Sequence, residues 1–317
     1  MRLQRLTLCC LLVLLPTLTH AKIVFWSSSD IYVVDDDGRN ATMLVKRVDG
    51  RSILWPVWSP DGKQIAFLQD PPGAPKWPQK SNIYIINSDG TGEFLVTDGD
   101  DNEHIASWSP DGKHLVFTSD RLTKPGTGQR DAWTINIATK ALRRLTRTVS
   151  LTTAVAWSPD GKYIAYRDKT GVGTTIHLMR ADGSGQHELV KSDGGHTRRF
   201  PRWSVESKSV LYREWNGIST KVVIHNIKTN KRQVVDTPDN WIIHSACFMG
   251  SKYLLISAKP PNAETHDIYR YHLVTGEIVN LTNTPAVDDY GPDWIDDDVL
   301  SVSPKNKKKV TWGEEKQ

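Results

Sequence analysis

One phrase constrains this chain more than anything else in it. Trp-Ser-Pro-Asp-Gly-Lys occurs at Trp58–Lys63, Trp108–Lys113 and Trp157–Lys162, with a degenerate copy, Trp-Ser-Val-Glu-Ser-Lys, at Trp203–Lys208. Proline presets φ at the first corner of a tight turn, aspartate bonds back to the backbone, and glycine accepts the positive φ that closes the corner. An alternating apolar run follows each copy, at Gln64–Leu68, His114–Thr118, Tyr163–Arg167 and Ser209–Arg213. Each phrase therefore predicts a hairpin between two strands.

The register continues through Phe248, in Ala-Cys-Phe-Met-Gly-Ser-Lys, to Trp294, in Pro-Asp-Trp-Ile-Asp-Asp. Steps of about 45 to 50 residues, each holding four strand-like runs, are the spacing of propeller blades. Lys22–Ser27, Asp30–Val34 and Ala41–Val45 look like a blade without its innermost strand, and Gly291–Trp294 supplies one. The expected fold is all-β: a six-bladed propeller whose N- and C-terminal strands share a blade, which leaves no exposed sheet edge at the closure. Val299–Val302 and Lys309–Trp312 also read as short strands, so an edge cover or a seventh, irregular blade is the alternative.

A length of 317 residues alone would suggest two domains, but the repeat predicts a single propeller over residues 22–317. Residues 1–21 read as a signal peptide. Arg2 and Arg5 precede an apolar stretch, Leu6–Leu18, too short to span a bilayer, and Thr19-His20-Ala21 suits a signal peptidase. Export to the periplasm or the extracellular space follows, with no transmembrane segment in the mature chain. Removing Arg2 and Arg5 lowers the formal charge from +4 to +2, which is no footprint for nucleic acid. Cys247 is then the one cysteine left, expected as a small buried residue and not as a nucleophile.

The repeated phrase with its apolar strand, followed by Ile-Tyr-Ile-Ile-Asn-Ser-Asp-Gly at Ile83–Gly90, resembles the TolB-like beta-propeller repeat. In TolB itself the propeller follows an α/β domain and works in the bacterial envelope, binding a peptidoglycan-associated lipoprotein at one mouth of its channel. Here the leader runs straight into the propeller, so the resemblance implies architecture, an exported setting and binding at the mouth. Similar repeats occur in the propellers of prolyl oligopeptidase-like enzymes. This chain has no Gly-x-Ser-x-Gly elbow, and Gly183-Ser184-Gly185 falls in an expected hairpin turn.

Longer loops, Pro71–Lys80 with Trp77, Arg121–Arg130, Trp215–Thr220 and Lys259–His266, should share one face, where binding residues concentrate. Four places before each tryptophan or its equivalent stand Leu54, His104, Thr153, Arg199, His244 and Tyr290, with Glu103, Arg198 and Asp289 one place earlier. These should ring the channel mouth on that face. The expectation is a monomeric, non-enzymatic binding or scaffolding propeller that grips an envelope protein or peptide. Glu103, His104, Arg198, Arg199, His244, Asp289 and Tyr290 would be polar contacts, and Trp77, Trp215 and Trp241 aromatic anchors. Asp61, Asp111 and Asp160 are turn builders, and no cofactor is expected. The alternative is a metal-assisted polysaccharide lyase or hydrolase. Oligogalacturonate lyases are propellers with similar turns and a histidine-rich metal site, and His104, His196 and His244 would here be the ligands of a divalent ion. Solvated or hydrogen-bonded histidines are the simpler account of all three.

Overall fold

The computed structural model describes residues 21–301 except 49–50, 72–79, 100, 124–127, 148–150, 170–172 and 285. Residues 1–20 of the expected leader, Trp77 and the Lys309–Trp312 run lie outside the described residues. Six four-stranded antiparallel sheets form a ring. Blades I to V are continuous in sequence, with innermost strands Ile53–Trp58, Glu103–Trp108, Thr153–Trp157, Thr197–Trp203 and Ile242–Met249. Blade VI takes Asp289–Ile295 as its innermost strand and continues through Lys22–Ser27, Asp30–Asp35 and Thr42–Val45. The two termini are stitched by Lys22↔Ile295, Ile23↔Trp294, Val24↔Asp293, Trp26↔Tyr290 and Ser27↔Asp289. The core lies between blades, where apolar faces of neighbouring sheets pack together.

The repeated phrase makes the expected turn. Gly62, Gly112 and Gly161 sit at φ 65, 68 and 75, and each donates its N–H to the carbonyl of Ser59, Ser109 or Ser158 at 2.9 Å. In the degenerate copy Ser207 takes the same corner at φ 56, a conformation that glycine adopts at no steric cost. Hydrogen bonds from the Ser109 hydroxyl and the Lys113 N–H hold the Asp111 carboxyl below its ordinary range, which confirms a role inside the turn.

The tryptophans of the phrase clamp one blade to the next. Trp108 Nε1 donates to the carbonyl of Val57 at 3.2 Å and Trp203 Nε1 to that of Ala156 at 2.9 Å, each reaching back to the preceding blade. Backbone links run the same way, from the N–H of Trp157 to Ser107 Oγ at 3.1 Å and from that of Trp58 to Asp293 Oδ2 at 2.8 Å, the latter crossing the closure. Replacing Trp203 by phenylalanine keeps most of the buried ring but removes the indole N–H that donates to the Ala156 carbonyl. Urea denaturation should show a loss of about 1 to 3 kcal/mol; an unchanged midpoint would remove the clamp from the account.

Residues 299–301 of the expected Val299–Val302 run are not a strand, and Val302 lies outside the described residues. Asp297–Ser301 is a short helix, because Asp296 caps it: its Oδ1 accepts from the Asp298 N–H at 3.0 Å and its carbonyl from those of Val299 and Leu300 at 3.2 Å. Val299 and Leu300 pack against the cluster that holds Trp58, Ile65 and Ile295. There is no seventh blade among the described residues. Cys247 is a free thiol, 4% exposed, in the innermost strand of blade V.

Candidate functional site at the loop end of the channel

Every innermost strand is interrupted at one level. Register shifts fall between Leu54 and Val57, His104 and Ser107, Thr153 and Val155, Arg199 and Arg202, and Ile243 and Ser245; blade VI has its shift between Val24 and Trp26 of the partner strand. Such bulges re-aim side chains. Three places before the tryptophan, Trp55, Ala154, Phe200 and Gly291 adopt φ of 56, 53, 57 and 57. Left-handed geometry costs a non-glycine residue about 1 to 2 kcal/mol, so the packing around it must hold it there.

That packing is on the channel axis. Trp55 of blade I and Phe200 of the opposite blade IV meet with ring centroids 4.9 Å apart, and Ala154 joins them. Trp55 also stacks on His244 at 5.5 Å and meets Trp26 at 6.3 Å. Gly291 completes the level because it has no side chain: a Cβ there would lie 3.0 Å from Trp26 Nε1 and 3.2 Å from Trp55. Together these groups fill the bore. On the turn side of this floor, a cavity of about 580 Å³ is lined by Trp58, Trp108, Trp157, Trp203, Phe248 and Trp294, with Arg202, Asp293, Asp296 and Asp298 as its charged members.

On the loop side, two unlike walls face each other. Blades V and VI give an aromatic wall: His244 lies 4.3 Å from Tyr290, and the Tyr290 hydroxyl is 3.2 Å from His266 Nδ1, which is itself 2.8 Å from Asp288. Burial, then the Asp288 charge, pushes the Tyr290 phenol up to about 12, so it stays a neutral donor. Blades III and IV give a cationic wall. Arg199 pairs across the strands with Arg213, and Thr153 with Arg167, whose Nη1 donates to Thr153 Oγ1 at 2.6 Å. Burial and then the charge of Arg199 push both Arg167 and Arg213 down to about 10. His104 is driven down to about 3 by burial and by Arg130, Arg167 and Arg199; His244 falls to about 3 by burial and by Arg213, His266 and Arg199. Both imidazoles are neutral at physiological pH.

The residues expected at the mouth divide by register. Leu54, His104, Thr153, Arg199, His244 and Tyr290 lie at the channel level, with Arg199 exposed. Glu103, Arg198 and Asp289 do not face the bore, because strand alternation turns them into the blade packing, where they are 0%, 4% and 0% exposed. Glu103 pairs with Arg121, and burial outweighs that partner to push its carboxyl up to about 7. Arg198 is held by Glu214 at 2.9 Å and Asp193 at 2.7 Å, and Asp289 accepts from Thr284 Oγ1 at 2.5 Å. Trp241 is half-buried against Tyr269, centroids 4.6 Å apart, and belongs to the core between blades. Trp215 is 42% exposed at the end of its strand.

His196 bonds Asp193 at 2.7 Å in the loop before blade IV. Among the described residues no three His, Cys, Asp or Glu side chains converge as a metal site. The arginines beside His104 and His244 also oppose a divalent cation. Sequence reasoning missed Trp26, Trp55, Phe200, Arg130, Arg167, Arg213 and His266. For Arg167 and Arg213 a signal existed: both end second strands, opposite the channel positions Thr153 and Arg199.

The fold and site define a class: a six-bladed propeller whose bore is crossed by the Trp55–Phe200 contact, with an aromatic and a cationic wall at its loop end. The sequence matches the TolB beta propeller domain over residues 19–199, and the chain belongs to that family. It is similar in structure to TolB from Acinetobacter baumannii, with a TM-score of 0.70 and 20% identity over 86% of this chain and 66% of that one. This chain thus spans just under two thirds of that protein's length. A chain of a nidogen/laminin complex matches at a TM-score of 0.69 with 11% identity, over 86% and 98% of the two chains. An oligogalacturonate lyase in complex with manganese matches at 0.59 with 12% identity, over 82% and 73%. At these identities the likeness to solved structures is one of fold. Among the described residues no helix is long and apolar enough to cross a membrane.

Proposed function

We propose that this chain is an exported, non-enzymatic binding propeller of a bacterial envelope, a monomer of residues 22–317 after loss of its leader. It holds a protein or peptide partner at the loop end of its channel. What supports this reading is the pair of unlike walls on the loop side of the Trp55–Phe200 contact. Exposed Arg199 stands beside neutral His104, His244 and Tyr290, a set that donates and accepts hydrogen bonds around a desolvated aromatic base. Tyrosine and arginine set side by side in this way concentrate binding energy in a few residues. Trp215 would add a contact on the rim. Family membership adds weight, and the site departs from a metal-dependent lyase because its histidines sit among arginines.

The test is a crosslinking pull-down from the native envelope fraction, with the mature chain and an Arg199→Ala, His244→Ala, Tyr290→Ala variant side by side. One partner captured by the wild type should be lost from the variant, with affinity weakened beyond tenfold, about 1.4 kcal/mol. Wild-type affinity in the variant would move the binding face elsewhere.

A further inference from the structure

The cationic wall is more charge than the fold neutralises. Arg167 is 8% exposed, and its Nε has no hydrogen-bond partner. Arg213 Nε, Arg130 Nε and His104 Nδ1 are buried and equally unpartnered. Among the described residues none of Arg167, Arg199 and Arg213 has a carboxylate within salt-bridge distance, whereas nearby Arg121 and Arg198 are both paired. Of the neighbouring carboxylates, Glu214 is committed to Arg198 and Arg232 and Glu103 to Arg121, while Asp168 offsets the charge on Arg167 less than burial and Arg199 oppose it. Buried charge without a partner is costly, and a bound anion would offset that cost.

We propose that Arg167, Arg199 and Arg213 receive a carboxylate carried at the end of an acidic peptide, with the adjoining residue of that peptide lying against His244 and Tyr290. This rests on the reading of the partner as a protein or peptide. Guanidinium forks match a carboxylate in bidentate geometry, and the unpartnered Nε groups of Arg167 and Arg213 add donors that break no bond of the fold. An end is required, not a mid-chain segment, because Trp55 and Phe200 floor the bore. The second wall is aromatic and neutral, so it suits an uncharged side chain next to the anion. Neutral His104, with Nδ1 unpartnered, stands ready as a further hydrogen-bonding group.

The probes are the peptide acetyl-Ala-Leu-Glu-Asp with a free C-terminus, its amide acetyl-Ala-Leu-Gln-Asn-NH₂, and trigalacturonate. Each is titrated calorimetrically against the mature chain and an Arg167→Met, Arg213→Met variant. The acidic peptide should bind at least tenfold more tightly than the amide, weaken as salt rises, and lose at least tenfold in the variant. The variant should melt no lower than the wild type, since two unpaired buried charges have been removed; a purely structural pair of arginines would lower the melting temperature. Equal binding of both peptides, or binding of neither, overturns the proposal. So does trigalacturonate binding that depends on the two arginines while the acidic peptide fails. If the envelope partner is lost from the Arg199, His244, Tyr290 variant but kept by the Arg167, Arg213 variant, the binding face stands and the carboxylate assignment falls.

Discussion

A chain ended after Asp288 is expected to lose cooperative folding altogether. The deleted strand, Asp289–Ile295, supplies the innermost strand of blade VI, so its absence exposes the edge of Lys22–Ser27 and opens the ring. Five register pairs disappear, and their ladder hydrogen bonds are worth roughly 1 kcal/mol each. Buried Ile295 and the Trp58–Asp293 link across the closure go with them, the apolar side chain alone accounting for about 1.5 to 3 kcal/mol. The total is comparable to the whole margin of a folded domain, about 5 to 15 kcal/mol. Calorimetry of the shortened chain should show no sharp transition, and a synthetic peptide of residues 289–301 should restore one when added in trans. A shortened chain that melts as sharply as the wild type would mean that the five continuous blades close without the sixth.

The second large effect is acid sensitivity. His104 and His244, at about 3 when folded, titrate near 6.5 in the unfolded chain. Unfolding therefore takes up protons. The stabilisation from keeping these rings neutral is complete above pH 6.5 and is lost as the pH falls from 6.5 towards 3. At pH 5 the loss is about 2 kcal/mol for each ring. Glu103 works in the opposite direction: its folded value near 7 lies above the ordinary carboxylate value, so its contribution is full in acid and fades as the pH rises. The wild-type profile is a sum, and a variant is needed to separate its parts. His244→Phe suits the aromatic surroundings of Trp55, Phe200 and Tyr290. Between pH 7 and pH 5 the wild type should lose about 2 kcal/mol more than this variant in urea denaturation. Parallel profiles would show that His244 is protonated in the folded protein.

Turn chemistry made the blades legible. Pro-Asp-Gly at a fixed period leaves the backbone few alternatives, and the spacing of Trp58, Trp108, Trp157 and Trp203 then sets the sheet count and the closure. The site was legible only to the level of one ring of positions. Glu103, Arg198 and Asp289 were grouped with His104, Arg199 and Tyr290 although adjacent strand residues point to opposite faces, a consequence of the two-residue period alone. Trp55 and Phe200 were beyond such reasoning. A left-handed bulge has no glycine signal when packing forces it onto an aromatic residue, and their contact joins blades that are 145 residues apart in sequence. The terminal helix was misread for a related reason: Val-Leu-Ser-Val has strand character, but the Asp296 cap decides its geometry.

On the proposed binding reading, the floor formed by Trp55 and Phe200 would also shape kinetics. A recess with a single door obliges a ligand to leave by the route it took in, so arrival and departure compete for the same opening. Whatever part of the proposed partner remained outside would then govern residence time by standing in that doorway. Partners with the same buried end but different outer surfaces would differ mainly in how slowly they let go.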